Sequence, residues 1–376
     1  MRCTQFEEFM DIIIAIGSIN AFFFAFLVLT KSRKEISDKI LITWLVFFGI
    51  NLLTGFCAVK NVFGNAIIPG VLAAILFVCH FPFLFLYTIS LTRQKFSLNP
   101  KLLIHLIPVL LMTGSMIPFF RFNGPEQKDI AYGYGDGVYL VVLPMLVMIV
   151  SSAIYLTATV KTIRKHKNAI KDTFSYTENI NMNWVQSIVY QFIGLFLLIV
   201  VVFGLLSFRQ LNIAITDYIL YTGLVLIIFF IGYHGYKQRK VHYPDTGTQV
   251  PEPKTEIKSD LDQADKLMHS LLTVMDARKP FLDPGLTIYS LAQMMEIPAH
   301  QLSRLLNIHM NQSFFEFINR YRVNEFKSIL NKKEFSHYSM LALALEAGFN
   351  SKASFNRIFK QITNSTPSEY RKKMSQ

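Results

Sequence analysis

Cysteine is scarce in this chain of 376 residues, and its three copies lie far apart at Cys3, Cys57 and Cys79. An odd, scattered set provides neither a disulfide framework nor the paired spacing of a zinc site. We therefore expect no metal and no cofactor. Aspartate is missing altogether from residues 285–376, where 12 Lys and Arg residues stand against six Glu. That balance favours a polyanionic partner for the end of the chain.

The first 240 residues contain seven apolar stretches long enough to cross a bilayer. As helices, these stretches would have no polar face. Helices of a large water-soluble core would be amphipathic, so we predict seven membrane spans instead. Glu7, Glu8 and Asp11 precede the first stretch, where a cleavable signal peptide would carry positive charge. The predicted spans are Phe9–Thr30, Ile40–Val59, Ala66–Leu91, Leu102–Phe120, Val138–Val160, Val185–Leu206 and Ile213–Tyr233.

The features of several membrane-protein classes are also missing. The last span has no lysine to form a retinal Schiff base, and no serine or cysteine nucleophile motif accompanies His80 or His105. We therefore do not expect an enzyme. The spans also show no internal repeat, which makes a transporter the less favoured alternative.

Lys and Arg residues are unevenly divided between the loops that join the spans. Fifteen lie on the side that includes the segment after span seven, and five lie on the other side. Because cytoplasmic loops carry the excess of positive charge, we predict an N-terminus outside and a C-terminal domain in the cytoplasm. The expected location is the inner membrane of a bacterium.

Polar residues inside the apolar half are costly and often line a cavity. Asn51, His80 and His105, with Tyr134 and Asp136 in an outer loop, are the candidates for a pocket that binds an unknown signal ligand. Hydrogen bonds between helices and an ordinary loop explain them equally well. Trp44 and Trp184 are predicted to anchor span ends at the membrane interface.

Residues 241–260 contain three prolines, one glycine and few large apolar side chains, a composition typical of a flexible linker. We predict that this linker joins a 1–240 membrane domain to a 261–376 cytoplasmic domain. Helical periodicity resumes at 261–275. Its apolar stripe either packs on the domain that follows or pairs two chains. We favour packing, because the helix is short for an isolated coiled coil.

Residues 285–376 contain an internal repeat of two copies. An apolar stripe at positions 288, 291, 292 and 295 recurs 52 residues later, and the stripe of a second short helix recurs 53 residues later. Two short helices joined by a tight turn, with an alanine at their crossing, describe a helix-turn-helix unit. The sequence predicts two such units.

Each second helix has a polar face opposite its apolar stripe. Arg, Asn, Ser and His at the start of an exposed helix can read base edges in a major groove. Solvated surface positions are the alternative, but arginine at equivalent places in both copies favours DNA binding. The predicted DNA-binding residues are His300, Ser303, Arg304 and Asn307 in the first copy and Lys352, Asn356, Arg357 and Lys360 in the second.

These residues stand within the runs LTIYSLAQMMEIPAHQLSRLLNIHMNQSFFEFINRYRVNEFKSIL and YSMLALALEAGFNSKASFNRIFKQITNSTPSEYR. Both runs resemble the DNA-binding domain of AraC-type transcription regulators. The resemblance implies two helix-turn-helix units joined by a long helix, Phe314 to Leu330, with two recognition helices entering successive major grooves. The whole chain looks like the membrane-embedded, seven-span regulators of that type.

Three positions depart from the pattern of that family. Asn311 and Asn364 stand where glycine is usual, and asparagine also tolerates the left-handed conformation. The first recognition helix lacks a serine cap, and Pro298 is expected at its first helical position.

The prediction from sequence is an all-α chain, a seven-helix membrane bundle followed by the double helix-turn-helix domain. It would regulate transcription in response to a signal sensed by the bundle. The expected partners are double-stranded DNA, RNA polymerase, the bilayer, the signal ligand and a second copy of the chain. The alternative is a transporter or receptor with a DNA-binding domain that controls its own expression.

Overall fold

A computed structural model describes most of the chain, and helices dominate the described part, which also contains one isolated β-bridge. Its contacts divide the chain into two compact units. The first comprises Met1–Arg164 and Met182–His242, and the second comprises Lys165–Asn181 and Tyr243–Gln376. The described residues are 2–62, 67–93, 96–97, 99–117, 138–177, 182–209, 214–238, 261–335 and 337–374.

The first unit is built from long apolar helices. Among the described residues, five helical segments are long and apolar enough to cross a membrane, and they coincide with predicted spans one, two, three, five and seven. Apolar helical segments at Pro100–Met116 and Asn183–Leu198 correspond to spans four and six but are shorter. Seven crossings therefore remain a prediction. The helices are α1 (Arg2–Leu29), α2 (Ile36–Val59), α3 (Ile67–Thr92), α4 (Ile107–Met116), α5 (Val138–Thr173), α6 (Asn183–Arg209) and α7 (Ala214–Lys237), and residues 165–173 of α5 belong to the second unit.

Large apolar side chains also cover the outside of these helices. Ile19 and Phe26 on α1, Leu110 on α4 and Leu226 on α7 are all more than 60 % exposed. An apolar surface of this kind would promote aggregation in water, whereas a bilayer solvates it. The outward faces thus agree with the membrane association that the helix lengths indicate.

The interior of the first unit is aromatic and closely packed. Trp44 and Phe48 of α2 are completely buried in its largest apolar cluster. At Gly49 an added Cβ would lie 2.7 Å from the Phe22 ring of α1, so a small residue is needed where these helices cross. The prediction that Trp44 is an interfacial anchor is wrong, because its side chain faces the core.

Polar contacts mark the two ends of this helical unit. At one end Lys31 Nζ donates to the Gly235 carbonyl (3.2 Å) and pairs with Asp38 (2.7 Å). At the same end of α7, Trp184 Nε1 donates to Gln238 Oε1 (2.8 Å). These contacts place the start of α2, the start of α6 and the end of α7 together.

The opposite end has its own polar cluster. Lys60, after α2, pairs with Asp11 near the start of α1. Tyr218, near the start of α7, donates to Asp11 Oδ1 (3.2 Å). The N-terminal end of α1 and the C-terminal end of α7 therefore lie at opposite ends of the unit.

The second unit contains two pairs of short helices. Its long helix α11 has the bounds that the sequence predicts, and α8 places Leu271 and Met275 in the core of the first pair, as the packing alternative requires. The linker 241–260 lies outside the described residues. The helices are α8 (Leu261–Arg278), α9 (Ile288–Met294), α10 (Ala299–Arg304), α11 (Phe314–Leu330), α12 (Met340–Glu346), α13 (Lys352–Thr363) and α14 (Pro367–Met374).

Candidate nucleic-acid interface

Helix α11 supports both helix pairs, because its apolar residues enter two separate clusters. Phe314 and Ile318 pack with the first pair, α9 and α10. Val323 and Phe326 pack with the second pair, α12 and α13. Burial of several large side chains on each side, at roughly 1.5–3 kcal/mol each, fixes both pairs to one helix.

Side-chain caps determine where most of these helices begin. Thr287, Ser313, Ser339 and Ser351 each accept a hydrogen bond from the backbone N–H three residues later, at 3.1–3.3 Å. Such a bond satisfies one of the free N–H groups of a first turn. Helix α10 differs, because Pro298 is its cap residue and provides no side-chain bond. The proline therefore lies one position before the predicted one.

The turns within the two pairs use the same backbone conformation at equivalent positions. Glu296 in the first pair has φ +56°, and Gly348 in the second has φ +89°. A Cβ at Gly348 would lie 2.3 Å from the Phe281 carbonyl oxygen. Glycine is therefore required at this position both by the positive φ and by the lack of space for a side chain. The left-handed conformations predicted for Asn311 and Asn364 are confirmed, with φ +48° and +56°.

The predicted residues of the first copy lie along α10 and the π-helical turn Leu305–His309 that continues it. His300 and Asn307 are exposed, whereas Ser303 and Arg304 are half-buried. Asn307 Nδ2 donates to Ser303 Oγ (3.3 Å). These side chains form one polar face, as the sequence predicts.

The predicted residues of the second copy form a more open face on α13. Lys352, Asn356, Arg357 and Lys360 are all exposed, opposite the buried Phe355 and Phe359. The Arg357 guanidinium lies 5.9 Å from the centre of the Phe315 ring of α11. A cation–π contact of this kind limits the positions of the guanidinium before any ligand arrives.

Sequence reasoning missed a cleft between α11 and α13 that polar and apolar side chains line together. Its lining includes Arg320 and Asn324 of α11 and Gln361 of α13. Arg320 and Asn324 are one helical turn apart on the exposed side of α11, a signal that the sequence did contain. The cleft provides hydrogen-bonding groups beside the second predicted recognition helix.

Sequence reasoning also missed a segment that precedes the domain by more than 100 residues. Ser175, which follows the end of α5, is bonded to Asn319 and Arg322 of α11. All three residues are 1 % exposed. Periodicity within the domain contains no sign of this contact.

The predicted sensor residues separate into two groups within the first unit. His80 Nδ1 accepts from Trp44 Nε1 (3.1 Å), and His80 Nε2 lies 3.3 Å from Asn51 Oδ1. His105 contacts the Tyr155 hydroxyl instead (2.9 Å). Tyr134 and Asp136 lie outside the described residues. Among the described residues, no group of three or more His, Cys, Asp or Glu side chains could hold a metal ion.

Two helix pairs on a shared helix, each with a polar face, are the arrangement expected of a DNA-binding domain of the helix-turn-helix type. A family model described as a helix-turn-helix domain matches residues 291–373. An uncharacterized HTH-type transcriptional regulator of Haemophilus influenzae is 32 % identical over 88 residues, which is 23 % of this chain and 28 % of the relative. The chain thus spans little more than a quarter of the length of that relative.

One solved structure is also similar to part of the chain. It is a protein of unknown function from Listeria innocua, with 29 % sequence identity and a TM-score of 0.25. The similarity covers 28 % of this chain and 95 % of that protein. By the family match alone, residues 291–373 form a helix-turn-helix domain of the AraC type, and the chain before it contains helices long and apolar enough to cross a membrane.

Proposed function

We propose that this protein is a membrane-embedded transcription regulator that binds specific DNA sequences through its C-terminal unit. The observation that carries the proposal is the pair of polar faces, one on α10 with the turn after it and one on α13. Arg304 and Arg357 occupy equivalent places on them. Arginine is the commonest reader of guanine in the major groove.

The basic surroundings of these faces support the same function. Residues 285–376 contain 12 Lys and Arg residues and only six Glu. Lys352 and Lys360 flank Arg357 on α13 and are suited to contact phosphates. Base-reading and phosphate-binding groups are therefore present on one helix.

The apolar unit is proposed to sense a signal from outside or from within the bilayer. Asn51, His80 and His105 remain the proposed sensor residues, with Tyr134 and Asp136. Asn51 and His80 are fully buried, so a ligand that uses them would have to open the core between α2 and α3. RNA polymerase and a second copy of the chain remain proposed partners.

Genome-wide mapping of DNA bound by the tagged full chain tests the proposal. We expect a limited set of sites that share a sequence, and loss of those sites in the Arg304→Ala/Arg357→Ala double variant. The control is Arg371→Ala, an exposed arginine on α14 that lies outside both predicted faces. Identical maps for the wild type and the double variant would refute sequence-specific binding by these faces.

A further inference from the structure

Helix α5 is longer than a membrane crossing requires. It has 36 residues, whereas about 20 apolar residues span a bilayer. The span predicted from the sequence ends at Val160, and the helix continues without a break to Thr173. At a rise of about 1.5 Å per residue, Lys171 lies about 16 Å beyond Val160 along the helix. The polar layer on each side of the hydrocarbon core is only about 5–8 Å thick, so the last turns of α5 reach past it.

One side of this extension is buried, and the other side is exposed and basic. Ile163, His166 and Ile170 are at most 4 % exposed. Asp172 is the single acidic residue of 161–173 and is half-buried, whereas five residues of that range are Lys or Arg. The exposed side consists, at the spacing of one helical face, of Lys161, Arg164, Lys165, Asn168 and Lys171.

The last part of the extension is joined to the DNA-binding domain in one compact unit, to which Lys165–Asn181 belongs. Phe174 forms an antiparallel bridge with Thr287, the cap residue of α9. Ser175 donates to the Leu286 carbonyl through both its N–H (3.3 Å) and its Oγ (2.7 Å). The end of α5 is thereby held beside the first turn of α9.

A buried arginine of α11 fixes the same point from another direction. Arg322 donates to the Ser175 carbonyl (3.1 Å) and to Ser175 Oγ (3.0 Å). It also donates to the carbonyls of Phe281 (2.8 Å) and Asp283 (2.7 Å), while Asn319 donates to the Ser175 carbonyl (3.0 Å). Arg322 is 1 % exposed, and a buried charge that lost acceptors would be costly. The residues after α5 are therefore a fixed part of the unit.

This fixed point lies where a helix-turn-helix unit meets the DNA backbone. When the second helix of such a unit lies in the major groove, its first helix crosses the backbone. Helix α9 is the first helix of the first pair, and Thr287 caps its N-terminus. Helix N-termini and lysines are both common ligands of phosphate. A basic helix held beside Thr287 is thus well placed to meet the phosphates that α9 crosses.

We propose that the end of α5 is a third DNA-contacting element, in which Lys165 and Lys171 bind backbone phosphates beside the first helix pair. The proposal rests on the DNA-binding function proposed above and adds a contact surface to it. Because α5 also contains a predicted span, this surface would connect the membrane part to DNA independently of the linker 241–260.

An anionic lipid surface is the other partner that the basic end of a membrane helix could take. Distance along α5 divides the exposed side between the two partners. Lys161 and Arg164 lie about 2–6 Å beyond Val160, at the depth of lipid headgroups. Lys171 lies beyond that layer and within the DNA-binding unit. These positions favour lipid for the first two residues and DNA for Lys171.

The salt dependence of DNA binding tests the proposal, because each phosphate contact releases counterions. The full chain in nanodiscs of neutral phosphatidylcholine is titrated with a duplex from its strongest mapped site, including the natural flanks, and with a scrambled duplex. Lys165→Gln/Lys171→Gln should lower the salt slope by about two. Between about 50 and 200 mM salt, the wild type should then lose on the order of tenfold more affinity than this variant. Both duplexes should show the effect, since phosphate contacts carry no sequence information.

Two matched variants control for general charge. Lys161→Gln/Arg164→Gln removes two charges from the same side of α5, nearer the predicted span, and should leave the salt slope unchanged. Lys266→Gln removes an exposed charge of α8 in the DNA-binding unit and should also leave it unchanged. All the substituted side chains are exposed, so the variants should fold, and proteolysis of the full chain checks this.

Each outcome has a separate meaning. A salt slope that Lys165→Gln/Lys171→Gln leaves unchanged overturns the proposal and assigns these lysines to the lipid surface. An equal fall in slope for Lys161→Gln/Arg164→Gln also overturns it, because the effect is then the charge of the whole helix. A loss confined to the specific duplex contradicts a phosphate contact. A wild-type chain that binds no duplex specifically refutes the proposed function itself, which is a different result.

Discussion

Arg304 and Arg357 hold equivalent places in the two helix pairs, yet their surroundings differ. Arg304 is half-buried, whereas Arg357 is exposed with its guanidinium 5.9 Å from the Phe315 ring. A restrained guanidinium loses less freedom when it binds a base. We therefore expect the Phe315 ring to favour base reading by Arg357.

Arg357→Ala should weaken binding to the specific duplex by on the order of 1–3 kcal/mol and relax the preference at one base position. Arg304→Ala should relax a position about one turn of DNA away. Lys360→Ala is the matched comparison, because a phosphate contact should weaken all sequences alike and lower the salt slope by about one. Affinity measurements over a set of single-base variants and salt concentrations distinguish these effects. Equal affinities for the wild type and both arginine variants would remove these residues from the interface.

Gly348 tests whether the turn of the second helix pair requires glycine. Gly348→Ala puts a Cβ 2.3 Å from the Phe281 carbonyl at a φ of +89°, so the C-terminal unit should lose at least on the order of 1–3 kcal/mol of stability. Gly285→Ala is the control, since its Cβ would meet only Asp283 Oδ1 at 3.4 Å. Proteolysis of the full chain at increasing temperature measures both. Equal stability of the two variants would mean that the turn relaxes around the new side chain.

Sequence patterns identified some special residues of these turns and missed others. Asn311 and Asn364 were predictable as left-handed because asparagine commonly adopts that conformation. Glu296 was not, since a glutamate has no such preference and only its equivalence to Gly348 points to it. Arg322 was also missed as a buried residue, because arginine in an amphipathic helix ordinarily faces solvent.

Among the helices, α11 was the most predictable. Ser313 and Glu316 form a capping box at its start, and its apolar residues repeat with helical spacing up to Leu330. Helix α8 was predictable as a helix, but whether it packed on its own domain or on a second chain was open. The burial of Leu271 and Met275 in the first cluster is a tertiary fact that periodicity alone does not contain.

The capping box predicts the effect of a single hydroxyl on α11. Ser313→Ala removes the acceptor for the Glu316 N–H (3.3 Å) and should cost about 1 kcal/mol of stability of the C-terminal unit. Ser328→Ala, at an exposed position near the end of the same helix, should change stability little. The same proteolysis assay applies. A smaller loss for Ser313→Ala than for Ser328→Ala would show that water replaces the cap at no cost.

The box also makes part of this stability depend on pH. The Ser313 N–H bond lowers the pKa of the Glu316 carboxyl below its ordinary value. A lowered folded-state pKa stabilises the domain above the ordinary carboxyl range, and this contribution disappears as pH falls through the folded-state value. Glu316 is exposed, so the effect is small and salt-sensitive. Glu316→Gln should flatten the acid limb of the stability curve, and an unchanged limb would contradict this.

At the scale of the whole molecule, sequence reasoning recognised an apolar and a basic part but not how the chain is shared between them. Residues 165–181 lie between two predicted spans, yet they belong to the C-terminal unit. The bonds from Asn319 and Arg322 to Ser175 connect residues about 150 positions apart, beyond the range of any local pattern. From the sequence, the linker was expected to be the sole covalent connection between the two units. In the structure, the chain also passes from one unit to the other at residues 164–165 and 181–182.

The two ends of the apolar unit predict its orientation in the membrane. Lys31, Trp184 and Gln238 mark one end of the unit, and Asp11, Lys60 and Tyr218 mark the other. The positively charged loops between spans one and two and after span seven belong to the first end, which should therefore face the cytoplasm. A reporter enzyme active only in the cytoplasm should work when fused after Ser32 or Lys240, and should be inactive when fused after Asn65. A reporter active only outside should give the reverse pattern. Cytoplasmic activity at all three positions would show that α2 does not cross the membrane and that the predicted seven crossings are wrong.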